Sequence, residues 1–92
     1  MRIATSRKPR QKPDYRLAKL DNEILLYHPG RTTVLYLNET ASLIWKLCDG
    51  SRTTVEITEI LEEAFPEQTG QIGDEVKATL RTFVEQDAME FV

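Results

Sequence analysis

Between positions 37 and 57 the chain reads LNETASLIWKLCDGSRTTVEI, a stretch that holds two helix starts and one helix stop. Asn38 offers a side-chain oxygen as a cap. Apolar residues then recur at Ala41, Ile44, Leu47 and Cys48 with helical spacing. Asp49-Gly50 ends that run, because glycine takes the left-handed conformation without a steric penalty. Thr53, with Glu56 three residues on, forms the reciprocal capping pair that opens a second helix. Two short helices joined by so tight a turn cross steeply. They can bury their apolar stripes only against a third element.

The flanking sequence supplies it. Residues 15–20, 24–27 and 32–37 have the apolar, β-branched and aromatic character of strands. Asp21-Asn22 and His28-Pro29-Gly30 carry the turn chemistry between them. Such short connections favour an antiparallel meander whose third strand is an edge running straight into the first helix. The helices are predicted over residues 39–48, 54–65 and from near Gly73 to about Gln86. Ile57, Ile60, Leu61 and Ala64 stripe the second, and Val76, Leu80, Phe83 and Val84 the third. Asp74 and Glu75 suit the positive end of a helix dipole. Met89, Phe91 and Val92 close the chain as a short strand or tuck beneath the helices. The fold class is α+β, a three-stranded antiparallel sheet followed by three helices, with the element order of a winged helix.

Ninety-two residues make one small domain. A single cysteine, Cys48, excludes an intrachain disulfide, and a single histidine, His28, leaves no metal-ligand spacing. No apolar run approaches the ~20 residues of a membrane span, and no apolar core follows the basic N-terminus as in a secretory signal. A soluble cytoplasmic protein is expected. The charge is unevenly spread. Arg2, Arg7, Lys8, Arg10, Lys12 and Arg16 face only Asp14 in residues 1–16, leaving six basic and fourteen acidic side chains beyond. Residues 1–14 are therefore expected to form a flexible basic arm, and residues 15–92 the folded domain.

Inventory argues against an enzyme. There is no glycine-rich phosphate loop, no nucleophile paired with a base and no clustered carboxylates, so no cofactor is expected either. The helix order would also suit a DNA reader. However, Glu56, Glu59, Glu62 and Glu63 on the second helix, with Asp74 and Glu75 on the third, repel phosphate.

The motifs Leu37-Asn38-Glu39-Thr40-Ala41, Leu47-Cys48-Asp49-Gly50, residues 53–57 and Gly73-Asp74-Glu75-Val76, in that order, resemble the PqqD-like family. These are the recognition domains of ribosomally made and modified peptides, and the resemblance covers about residues 15–92. It implies a binding role without chemistry. The leader of a precursor peptide adds as a fourth strand along the third strand, beside the third helix. The domain then presents it to a modifying enzyme, often a radical S-adenosylmethionine enzyme, as in the biosynthesis of pyrroloquinoline quinone.

The residues point to the same surface. Strand addition needs an open edge, and Thr33, Val34, Leu35, Tyr36 and Leu37 carry no lysine, proline or glycine to guard one. On the third helix Lys77 and Arg81 lie one turn apart, beside Val76, Leu80 and Val84. The two cations are expected to hold acidic leader residues and the three apolar positions aliphatic ones. Two other readings stay open: a winged-helix DNA-binding protein, and an oligomeric adaptor whose edge pairs with a second copy to give a homodimer. Trp45 is expected to flank the core, Cys48 to be buried, and His28 to be exposed in its turn.

Overall fold

The computed structural model describes residues 6–92. Its elements are β1 (Pro9–Gln11), β2 (Arg16–Leu20), β3 (Glu23–Tyr27), β4 (Val34–Leu37), α1 (Glu39–Leu47), α2 (Thr54–Ala64), α3 (Thr69–Glu85) and β5 (Met89–Phe91). Strands β2, β3 and β4 form the antiparallel meander, with β3 in the middle. Its first turn is the two-residue Asp21-Asn22, closed by Leu20 opposite Glu23, with Asp21 at φ 56°. Aspartate is among the few residues that tolerate that region.

The helix starts follow the sequence. Asn38 Oδ1 accepts from Ala41 N at 2.7 Å, and Thr53 and Glu56 complete their reciprocal cap in both directions. Gly50 sits at φ +85°, and its N–H donates to the Pro9 carbonyl at 3.0 Å. A side chain there would be strained and would crowd Arg10.

Sheet and helices enclose one core: Leu26, Ile44, Trp45, Cys48, Ile57, Leu61, Ile72, Val76, Leu80, Phe83, Ala88 and Met89. Trp45 packs edge-on against Phe83 at 5.2 Å and Tyr15 at 6.0 Å, so it is a core residue and not a flanking one. Each fully buried Leu, Ile or Phe here contributes about 1.5–3 kcal/mol of transfer free energy. No helix of the described residues is long and apolar enough to cross a membrane.

Three sequence expectations change. Helix α3 begins at Thr69, after a 3₁₀ turn over Pro66–Gln68, so Gly70 and Gly73 are helical and Ile72 joins the core. Asp74 and Glu75 consequently lie beyond the first turn. On α2 the buried stripe is Thr54, Ile57 and Leu61, while Ile60 and Ala64 face outward.

The largest change concerns the N-terminus. Pro9–Gln11 is no flexible arm but a strand, paired antiparallel with Met89–Phe91. Lys8 and Val92 exchange backbone hydrogen bonds at 3.2 and 2.8 Å, Gln11 N donates to Cys48 O at 3.0 Å, and Lys12 N to Ala88 O at 2.9 Å. Arg7 Nη2 donates to the Phe91 carbonyl, and Arg10 pairs with Glu90 at 3.2 Å. Much of the basic charge read as an arm is thus spent on fastening the two ends of the chain. The remainder of the expected arm, residues 1–5 with Arg2, lies outside the described residues.

Candidate functional site

The ladder pattern fixes which backbone groups of β4 are free. A two-residue hairpin closes on a hydrogen-bonded pair, here Leu20 and Glu23, and hydrogen-bonded pairs then alternate along an antiparallel ladder. On β3, Glu23, Leu25 and Tyr27 therefore turn their N–H and C=O groups toward β2, and Ile24 and Leu26 toward β4. Ile24 faces Leu37 and Leu26 faces Leu35. Leu35 and Leu37 are thus committed inward. Val34 and Tyr36 direct their backbone N–H and C=O away from the sheet, into the open edge.

The side chains alternate as well. Leu35 and Leu37 pack against the core, whereas Val34 and Tyr36 stand on the outer face, Tyr36 at 72% exposure. Thr33, just before the strand, is exposed. The sheet's other edge, β2, carries exposed Arg16 and Lys19, charges of the kind that discourage strand pairing. A cavity of about 490 Å³ between β2 and α1 has Lys19, Lys46 and Glu39 in its wall. Of the two edges, β4 is the unguarded one among the described residues.

The residues of α3 expected beside this edge are placed as follows. Val76 and Leu80 are 0% exposed, held in the core, so neither is available to a docked side chain. Val84 is half-buried against the same core. Lys77 faces α2, lining a cavity of about 270 Å³ with Thr54, Val55, Thr58 and Glu62. Beside β4 lies Gln86, the residue that caps the C-terminal end of α3, which lines a small cavity with Thr33, Leu35, Leu26, Tyr15 and Arg31. Gln86 is nine positions after Lys77, two and a half turns, and so on the opposite side of the helix. Glu75, Thr79 and Thr82 share Gln86's side by their spacing. Arg81 lies nearer Lys77's flank, half-buried, its Nε without a hydrogen-bond partner. Neither Lys77 nor Arg81 forms an ion pair among the described residues.

Periodicity had found the buried stripe of α3, but a stripe has two polar flanks. Nothing local says which one faces the sheet. The residues beside the Thr33 end of β4 that carry no such signal are Gln86 and Arg31, which line the small cavity, and Asp87, which pairs with Arg31.

There Asp87, at φ 60°, accepts from Arg31 Nη2 at 3.0 Å and from Lys12 Nζ. These contacts hold the Asp87 carboxyl below its ordinary range, the Lys12 hydrogen bond first and Arg31 second. Tyr15 lies beneath, its hydroxyl 3.4 Å from the carbonyls of both Gln86 and Asp87, its ring edge-on to half-buried His28 at 5.2 Å. Elsewhere, burial and then Asp49 push the Cys48 thiol up to about 12, where it has no nucleophilic character at neutral pH. No group of three or more His, Cys, Asp or Glu among the described residues is placed to hold a metal ion.

The chain is similar to known proteins in sequence and in fold. The family model described as coenzyme PQQ synthesis protein D (PqqD) matches residues 23–88. The PqqA binding protein of Klebsiella pneumoniae (strain 342) is 37% identical over 75 residues, 78% of this chain and 77% of that protein. That of Rahnella aquatilis is 40% identical over 57 residues, 62% of this chain, and the match spans only 56% of the relative's length. Among solved structures, the PqqD truncation of Methylobacterium extorquens PqqCD, described as a functional, stand-alone recognition element for ribosomally synthesised and modified peptides, aligns with a TM-score of 0.78. It is 24% identical, with 97% of this chain and 95% of that one covered. TbiB1 in complex with the TbiA(beta) leader peptide aligns at 0.71, 20% identical, over 88% and 94% of the two chains. The heterocyclase TruD aligns at 0.63, 17% identical, over 94% of this chain and 12% of its own. At these identities the three structures establish the fold.

Proposed function

The chain belongs to the coenzyme PQQ synthesis protein D family, and we propose that it binds the leader segment of a ribosomally made precursor peptide without itself catalysing a reaction. The peptide adds as an antiparallel or parallel strand along β4, hydrogen-bonded to Val34 and Tyr36 and flanked by Thr33, Leu35 and Leu37. The domain then presents the rest of the precursor to a modifying enzyme, in the pyrroloquinoline quinone route a radical S-adenosylmethionine enzyme. All of this takes place in the cytoplasm. Relatives named PqqA binding proteins make PqqA the first client to test.

One observation carries the reading: β4 is an edge with two outward-facing residues and no charged or proline guard, in a sheet whose opposite edge is guarded. Main-chain pairing gives such an edge its affinity, and the adjoining groove its selection. The alternative of DNA binding finds no support in the charge distribution. The outward face of α2 is lined by Glu56, Glu59 and Glu63, with Arg52 in the same wall, a face that repels phosphate.

The test is titration of the protein with a fluorescently labelled synthetic PqqA peptide, followed by anisotropy. Saturable binding, competed by unlabelled PqqA peptide and not by a scrambled one, is the expected result. No saturable binding up to about 1 mM refutes the proposal.

A further inference from the structure

We infer that Arg31 is a specificity-determining residue of the groove, taking a carboxylate side chain of the docked peptide at the Thr33 end of β4. This rests on strand addition at β4, as proposed above, and adds a chemical preference at one position of the peptide. Four features of the geometry lead to it.

First, Arg31 stands three residues before Val34, the first residue of β4 with outward backbone groups. Its side chain crosses from the β3–β4 loop to Asp87 at the end of α3. A strand running along β4 past Val34 meets it at the groove's end. Second, the Arg31 guanidinium uses a single donor atom, Nη2, on Asp87, and its side chain is about half-exposed. The remaining N–H groups have no protein partner among the described residues, and a guanidinium fork is matched in shape to a second carboxylate. Third, Asp87 also holds Lys12, so its charge remains compensated when Arg31 turns toward a ligand. Fourth, the rival cations are badly placed. Lys77 faces α2, Lys19 and Arg16 lie on the far edge of the sheet, and Lys12 is held by Asp87.

Asp87 is thereby an internal stand-in for the peptide's carboxylate. It holds the guanidinium ready and competes with the ligand for it. This fixes opposite signs for two substitutions. Arg31→Gln removes the partner of the peptide's acidic side chain, whereas Asp87→Asn removes the competitor. Asparagine tolerates the positive φ of position 87.

The experiment uses the full chain and a set of PqqA peptides in which each Asp or Glu is replaced in turn by its amide. One of these replacements is expected to weaken binding to the wild-type protein about tenfold and to leave binding to Arg31→Gln unchanged. Binding of the unmodified peptide to Asp87→Asn is expected to be equal to wild type or a few-fold tighter. Thermal melting of each variant shows that it is folded. If Arg31→Gln loses affinity equally for every peptide, or Arg31→Gln and Asp87→Asn both lose it alike, the ion pair is only structural and the inference is overturned. Val34→Pro separates the two levels. Loss of binding there, with no coupling at Arg31, removes the inference and leaves docking at β4 standing. Failure of the wild-type chain to bind any peptide removes both.

Discussion

Proline substitution along β4 discriminates sharply between its two kinds of position. Val34 turns its N–H out of the sheet and Leu35 turns its N–H toward Leu26, given the pairing of Leu26 with Leu35 and the alternation of the ladder. Val34→Pro therefore removes a donor that no strand among the described residues uses, and proline is tolerated where a strand's N–H faces solvent. The fold should survive. A peptide strand paired there would retain a carbonyl with no donor opposite it, which costs about 1–3 kcal/mol, or roughly a five- to 150-fold loss of affinity. Leu35→Pro instead strips the Leu26 carbonyl, at a residue 1% exposed, of its partner. The same 1–3 kcal/mol then falls on the stability of the domain. Urea denaturation and anisotropy titration with labelled PqqA peptide measure the two effects side by side. Val34→Pro should keep the wild-type midpoint and lose peptide, while Leu35→Pro should lose the midpoint. If Val34→Pro binds peptide like the wild type, strand addition at this edge is wrong. If both variants are equally destabilised, the assignment of inward and outward positions is wrong.

Three further outcomes test other parts of the account. Thr53→Ala removes the cap of α2 and should cost about 1 kcal/mol, lowering the melting temperature by roughly 4–8 °C; an unchanged melt would show that the cap contributes nothing. Deleting residues 1–11 removes β1 and with it the cover over β5 and the Asp49-Gly50 turn. It should cost about 2 kcal/mol or more in urea denaturation, whereas a dispensable arm would leave the midpoint in place. Asp87, Asp49 and Glu56 are all held below their ordinary values, by the Lys12 hydrogen bond, the Ser51 hydroxyl and the Thr53 N–H respectively. A carboxylate with a depressed folded pKa stabilises above its unfolded value, about 4, and that stability disappears as pH falls through the folded value. Stability measured from pH 6 to pH 2 should therefore fall less steeply in Asp87→Asn than in the wild type, and identical slopes would refute the Asp87 contribution.

What could be read from the residues was whatever is decided within a few positions. Asn38 and Thr53-Glu56 cap and box their helices through contacts three residues long, and Gly50 takes its positive φ just past the end of α1, all where the sequence put them. The meander was legible because its turns are short, and the edge because β4 runs directly into a helix. The strand β1 was not. Its partners lie about eighty residues away, and PRQ carries no alternation that marks a strand. The start of α3 was missed because Gly70 and Gly73 have the poorest helix propensity after proline, and packing of Ile72 into the core overrides it. Which flank of α3 lies toward β4 was not legible for a related reason. Charge drew attention to Lys77 and Arg81, but the side that faces β4 is set by how the helix docks, and Gln86 gives no signal of its own.

The central claim is that Val34 and Tyr36 offer unpaired backbone groups to a foreign strand, and amide hydrogen exchange followed by NMR reads those two protons directly. In the isolated protein both amides should exchange quickly while those of Leu35 and Leu37 are protected. With saturating PqqA peptide, Val34 and Tyr36 should become protected as well. Protection of both amides before any peptide is added, unaltered by the peptide, would contradict the account.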